Sequence, residues 1–248
     1  MLILKKKYKY TYKIIYKFLI IFIIISCSPT ASNEIIKTSN TVDTETSTTV
    51  KTTESKTYPT LEIKERSTSI PTYDRDDWNH WSDEDGDCQN IRHEVLQDET
   101  LEAVTFTTSS NCYVLTGKWY GVYTGEYYYS ASELDVDHFV PLKNAHDSGG
   151  YEWSLKKKKE YANYLEDSDH LIAVESGANR SKGARGPEDW KPANTEYWCE
   201  YAYDWIRIKD TWGLTVTQDE WNALMLMIST CPDGYVYENA YPKSLLEG

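Results

Sequence analysis

Basic charge is what this chain is short of once its first residues are set aside. Six of its 26 Lys and Arg fall in residues 1–27, where no acid occurs, so the remainder carries 20 basic against 39 acidic groups. That balance excludes broad electrostatic attachment to nucleic acid, in which Lys and Arg displace counterions from phosphates. Contact with a polyanion must come from a local basic patch or a metal. The acidity also solubilises the chain and repels an anionic membrane surface. Long apolar runs are equally scarce: the run at residues 18–25 is too short to span a bilayer, and no second one follows. No pair of cysteines is spaced as CxxC, which argues against a zinc ion held by thiolates.

The leader has Lys5, Lys6, Lys7, Lys9, Lys13 and Lys17 ahead of its apolar run and ends in Ile24-Ile25-Ser26-Cys27. This is the pattern of an export signal. Its end resembles the bacterial lipobox, in which a small residue precedes a Cys that is lipid-modified after cleavage. Residues 1–27 therefore read as a signal peptide with Cys27 as the lipidation site. The plainer alternative is an ordinary signal peptide and a secreted protein. On the first reading the protein sits at the cell envelope or surface, with a lipid anchor as its whole membrane attachment. Residues 28–72, rich in Ser and Thr and almost free of aromatics, cannot bury enough apolar surface to fold and read as a disordered tether. Residues 73–248 are left as the folded domain.

In an exported chain the four cysteines after Cys27 suggest two disulfides, with three connectivities open. Pairing Cys88 with Cys112 and Cys199 with Cys231 is preferred because each pair encloses a local segment. Just ahead of Cys88, Asp83-Glu84-Asp85-Gly86-Asp87 lacks the twelve-residue ligand pattern of a calcium loop and reads as a solvated turn. Residues 90–96 suggest a short helix. Residues 105–115 and 118–128 suggest two strands with Thr116-Gly117 as their turn, their tyrosines serving sheet packing rather than base stacking. A helix is expected over 154–166, where Lys156 to Lys159 form a solvated face or a phosphate-tracking patch. In the C-terminal part, Tyr201, Trp205, Ile208 and Trp212 recur at helical spacing, and Thr217-Gln218-Asp219-Glu220 has the form of a capping box.

The chemistry concentrates in Glu133-Leu134-Asp135-Val136-Asp137-His138-Phe139-Val140-Pro141-Leu142. Apolar and polar residues alternate as on a strand that delivers side chains to one place. Asp137 offers a hard oxygen suited to Mg2+, and His138 an imidazole able to take a proton from water. A second strand at 169–174 and a short helix carrying Asn179 would bring another oxygen ligand beside Asp137, with Arg180, Lys182 and Arg185 available to hold a phosphate backbone. His146 fits no pattern and reads as a surface or loop residue.

Asp-His-x-Val-Pro-Leu followed by a strand and Asn-x-x-Lys-Gly resembles the HNH, or ββα-metal, nuclease motif. The closer likeness is to exported bacterial HNH nucleases related to the C-terminal domain of the GmrSD restriction enzyme. It covers most of residues 73–231, including the Tyr-x-Arg opening with Arg75 and Trp81, the Arg92 segment and Pro187-Glu188-Asp189-Trp190-Lys191-Pro192. The resemblance implies an α+β domain with a ββα-metal core, a β-rich N-terminal segment and a disulfide-stapled helix pair at the end. It implies an endonuclease acting on DNA or RNA, with His138 as general base and Asp137 and Asn179 as ligands of one divalent ion. Mg2+ is the first expectation, with Mn2+, Ca2+ or Zn2+ as substitutes. Arg75, Arg92, Arg180, Lys182 and Arg185 are the expected phosphate contacts. The middle Asn of the motif falls near His170, which becomes the candidate to orient His138. No obligate protein partner is evident. Two rival readings are a zinc hydrolase using His138, His146 and His170, and a non-catalytic binding lipoprotein.

Overall fold

The computed structural model describes residues 58–235 and 237; the leader, Cys27 and residues 28–57 of the tether lie outside the described residues. Asn90 opens helix α1 (Ile91–Glu99) by accepting from the His93 N–H, and Ile91, Val95 and Leu96 form its buried stripe. Strands β1 (Thr105–Phe106), β2 (Val114–Gly121) and β3 (Glu126–Ser130) make an antiparallel sheet in that order. Strand β2 runs through the expected turn at Thr116-Gly117, and the chain reverses after Gly121 instead, where Thr124 and Gly125 N–H groups close on the Gly121 carbonyl. The reason is packing: a Cβ on Gly117 would lie 2.6 Å from the Trp119 ring and 2.9 Å from Thr100 Oγ1. This glycine clears space for an indole rather than making a turn.

A second, two-stranded sheet pairs β4 (Leu134–His138) antiparallel with β5 (Leu171–Glu175), Val136 opposite Ala173 and His138 opposite Leu171. Between these strands lie helices α2 (Leu142–Asp147) and α3 (Leu155–Ala162), and β5 leads directly into α4 (Ser176–Lys182). Leu134, Val136, Leu171 and Ala173 share one face and join Ile91, Val95, Leu96 and Trp119 in a core cluster. Burying each such side chain contributes roughly 1.5–3 kcal/mol. A one-residue slip would turn Asp135 and Asp137 into that cluster, so the register is fixed.

Helix α3 stops short of the expected 166. Asn163 caps it, its Nδ2 donating to Lys159 O and to Asn79 O while Oδ1 accepts from the Ser82 N–H. The lysine run on α3 is largely engaged: Lys158 pairs with Asp77, Lys159 with Glu84, and Lys157 lies over the Trp153 ring. His146 is not a surface residue; it is buried in α2, bonded through Nε2 to Pro71 O and packed edge-on against Tyr73.

Residues 58–72, expected as the end of the tether, lie against the domain. Leu61 is buried, Ile63 bridges Val216, and Tyr58 packs against Tyr203 and Trp221. Composition misses this because a few apolar residues spaced along an extended strap suffice to dock it. The Asp83–Asp87 segment is a solvated turn, with Asp83 accepting from Gly86 and Cys88 N–H.

Helices α5 (Trp198–Trp212) and α6 (Gln218–Ile228) pack as a pair, and the latter opens on the Thr217–Glu220 capping box. Disulfides join Cys88 to Cys112 and Cys199 to Cys231, as expected. Two buried ion networks tie the pair to the rest. Lys209 Nζ meets Glu220 at 2.5 Å, both fully buried, and also donates to Ser148 Oγ at 2.9 Å. Arg207 holds the carboxylates of Asp167, Asp169 and Asp204 and the Tyr237 hydroxyl. Removing one member of such a network leaves unpaired buried charge. Arg207→Met is expected to lower the unfolding free energy by about 3–5 kcal/mol, measured by urea denaturation at pH 7.

Candidate active site

Strand alternation sorts the expected site residues onto two faces. Asp135 and Asp137 point toward α4, whereas His138 leaves the strand on the side of Leu134 and Val136. On α4, Asn179 and Lys182 are three apart, and on β4 their partners are two apart. Asn179 Nδ2 donates to Asp135 Oδ2 at 3.2 Å, and Lys182 Nζ donates to Asp137 Oδ2 at 2.5 Å. Asn179 therefore sits beside Asp135, not beside Asp137 as the motif suggests.

Asp137 is almost fully buried, and Lys182 is completely so. Besides Lys182, the Tyr123 hydroxyl donates to Asp137 Oδ2 at 2.7 Å. Lys182 also donates to the carbonyls of His138 at 3.1 Å and Phe139 at 2.9 Å. Burial pushes the Asp137 carboxyl up and the Lys182 ammonium down, each against the pull of the other's charge. Lys182 is thus a strut rather than a phosphate contact.

A divalent ion requires oxygens with free lone pairs. At Asp137, Tyr123 and the Lys182 ammonium both occupy Oδ2, so an ion there has Oδ1 to meet. Asp135 fits as well. Its side chain is 33% exposed, and turning the Asn179 amide over would present Oδ1 beside the Asp135 carboxylate. Sequence reasoning passed over Asp135, although its two-residue spacing from Asp137 was the available signal.

His138 is 6% exposed, and its Nε2 lies 2.9 Å from the Ala162 carbonyl oxygen. A carbonyl only accepts, so Nε2 carries the hydrogen and Nδ1 the lone pair. Burial is the main reason its pKa falls well below the ordinary imidazole value, helped by the nearby His170, His80 and Arg75. At neutral pH the ring is uncharged and able to accept a proton at Nδ1.

The group that orients His138 is therefore main chain, at the end of α3. His170 does not serve: its Nε2 donates to Tyr161 O, and its ring packs among Tyr161, Tyr164 and Trp212. No side-chain motif could have revealed a carbonyl in this role. His138, His146 and His170 do not converge as zinc ligands either, since each gives its Nε2 to a different main-chain oxygen. Among the described residues, the His, Cys, Asp and Glu groups spaced to hold a metal are the exposed Asp83, Asp85 and Asp87.

The remaining cations divide by exposure. Arg92 is half-buried and donates to the carbonyls of Ala131 and Leu134, fastening α1 to the start of β4 rather than facing a substrate. Arg180, with a side chain 76% exposed, stands 3.9 Å from Asp135. Arg185 and Arg75 are exposed as well.

Burial of His170 has a consequence for stability. Its pKa is lowered to about 4 from the ordinary 6.5, so the unfolded chain takes up the proton first as pH falls. The stabilisation is complete above about 6.5 and is lost as pH drops through about 4. Urea unfolding between pH 7.5 and pH 4 should show this decline. His170→Gln, whose amide can still donate to Tyr161 O, should decline less steeply.

Comparison with known proteins adds the following. Residues 91–227 match the family described as GmrSD restriction endonucleases, C-terminal domain. The chain is 38% identical over 159 residues to an "Uncharacterized secreted protein" of Arthroderma benhamiae, spanning 64% of this chain and 76% of that relative. That relative is fungal, so these matches support the GmrSD C-terminal family without extending to the exported bacterial HNH enzymes expected from sequence. No solved structure matches the chain. On the length of the family match and the extent of this relative, the chain belongs to the family of the GmrSD restriction endonuclease C-terminal domain.

Proposed function

We propose that the protein is a metal-dependent HNH-type endonuclease that hydrolyses phosphodiester bonds of DNA or RNA outside the cytoplasm. The observation that carries this reading is His138, with Nε2 on the Ala162 carbonyl, which leaves the lone pair on Nδ1. It stands at the end of the first strand of a strand–strand–helix unit, the arrangement a ββα-metal core requires.

In this reading Asp135 and Asn179 hold one divalent ion, with Mg2+ suited to two hard oxygens and open positions. Asp137, the choice from sequence, would join them through Oδ1, its Oδ2 being taken by Tyr123 and Lys182. The bound ion supplies positive charge to the phosphate oxygens. His138 Nδ1 takes the proton of a water whose oxygen attacks phosphorus, and the bond to the leaving oxygen breaks. Arg180 and Arg185 hold the substrate backbone, contributing position rather than sequence choice. The acidic net charge makes these few exposed arginines the local exception that a polyanion needs.

Export follows from the leader, the two disulfides and the secreted relative. We extend this to a lipid anchor on Cys27 as the membrane attachment.

The full chain is expected to nick plasmid DNA in Mg2+ and to stop in EDTA. His138→Ala should reduce kcat by at least about 100-fold, the lower range for a lost general base. Unchanged cleavage by that variant would overturn His138 as the base. Asp135→Asn should raise the Mg2+ concentration needed for half-maximal rate more than Asp137→Asn does; the reverse order would return the ligand role to Asp137.

A further inference from the structure

The base is approached by a second chain segment that the strand–strand–helix unit does not contain. Asp74 caps a short turn over Arg75–Asp77, and four residues on, Trp81 takes φ of 59°, a left-handed conformation that a bulky residue rarely adopts. This backbone brings three rings together: His80 to Trp81 at 5.5 Å, Trp81 to His138 at 5.2 Å, and His80 to His138 at 6.3 Å. Asn163 holds the segment from both ends, donating to Asn79 O and accepting from the Ser82 N–H. It directly follows Ala162, whose carbonyl fixes His138, so two consecutive residues at the end of α3 place both the base and this loop.

The hydrogen bonds of His80 determine its state. Nδ1 lies 2.9 Å from Trp78 O and must donate, so Nε2 has the lone pair and accepts from Arg75 Nη2 at 3.2 Å. A neutral imidazole thus grips one N–H of an exposed guanidinium, and that imidazole stands 6.3 Å from the His138 ring. Arg75 also lies near the Tyr73 hydroxyl, and a guanidinium has five N–H donors, more than His80 and Tyr73 engage. A guanidinium otherwise free to swing gains from being fixed, because electrostatic help in a transition state depends on prior placement.

We infer that His80 is a positioning residue: it holds Arg75 beside His138 so that the guanidinium contacts the phosphate under attack. This rests on the nuclease reading. Arg75 touches substrate; His80 acts through it. The two therefore form one unit, and losses on removing them should not multiply.

Plasmid cleavage by the full chain in Mg2+ tests it through kcat and KM together with thermal melting. Arg75→Ala should lower kcat by about 100-fold, in the range for one lost oxyanion donor. His80→Phe keeps a ring against Trp81 but has no acceptor, and should lower kcat by about 10-fold or more with KM changed less. His80→Gln, whose carbonyl can accept from Arg75, should recover most of the rate. The double variant Arg75→Ala with His80→Phe should be no slower than Arg75→Ala alone. Full kcat in His80→Phe, equal loss in His80→Gln, or multiplied losses in the double variant would overturn the positioning role. If His80→Phe melts early, Arg75→Ala with and without His80→Gln completes the cycle; a further loss from His80→Gln on that background overturns the role. A wild-type chain inactive on plasmid, linear DNA and RNA with every divalent ion overturns the nuclease reading itself, whereas an active wild type with an indifferent His80 overturns only this inference.

Discussion

One ammonium group organises the centre of this domain. Lys182 Nζ reaches from the last turn of α4 to a carboxylate and two successive carbonyls at the end of β4, in a place water does not enter. A buried ammonium is tolerable only where it is paired and its donors are used. Here all three donors are used, and their acceptors are the side chain of Asp137 and the main chain of His138 and Phe139. The helix is thereby locked to the point where the strand ends, and the direction in which His138 leaves the backbone is set. Tyr123 completes the shell around Asp137 from the loop after β2, so the three-stranded sheet is tied to the same point.

The sequence showed the parts of this arrangement better than their partners. The motif spacing placed Asp137 and His138 at the end of a strand and Asn179 on the helix after its partner strand, as the structure has them, and both disulfides were legible because each closes a local segment. Which aspartate faces Asn179 was not legible, since it depends on how far α4 is advanced along β4. Lys182 and Arg92 were misread for a common reason. Sequence shows a cation's charge but not its burial, and both are spent on main-chain oxygens inside the fold. The Ala162 carbonyl lies beyond any side-chain pattern, and Gly117 was taken for a turn because a glycine demanded by a neighbouring indole looks the same in one dimension.

Polar burial in the C-terminal helices follows the same rule as at the centre. Lys209, Glu220 and Arg207 lie in an interior crowded with Trp and Tyr, each with a charged partner. Pairs of this kind add little net stability over apolar residues of the same size, because desolvation offsets their attraction. Lys209 also bonds Ser148, just beyond α2, and Arg207 bonds Asp167 and Asp169, just ahead of β5. The insertion between the two strands of the site is thus held at both ends by α5.

The strap at residues 58–72 gives the domain a mechanical polarity. It runs along the α5–α6 pair, with main-chain bonds from Lys64 to Val216 and from Val216 to Glu62, before Pro71 meets His146. Tension arriving through the chain ahead of Tyr58 is therefore borne first by a helix pair closed by the Cys199–Cys231 covalent link.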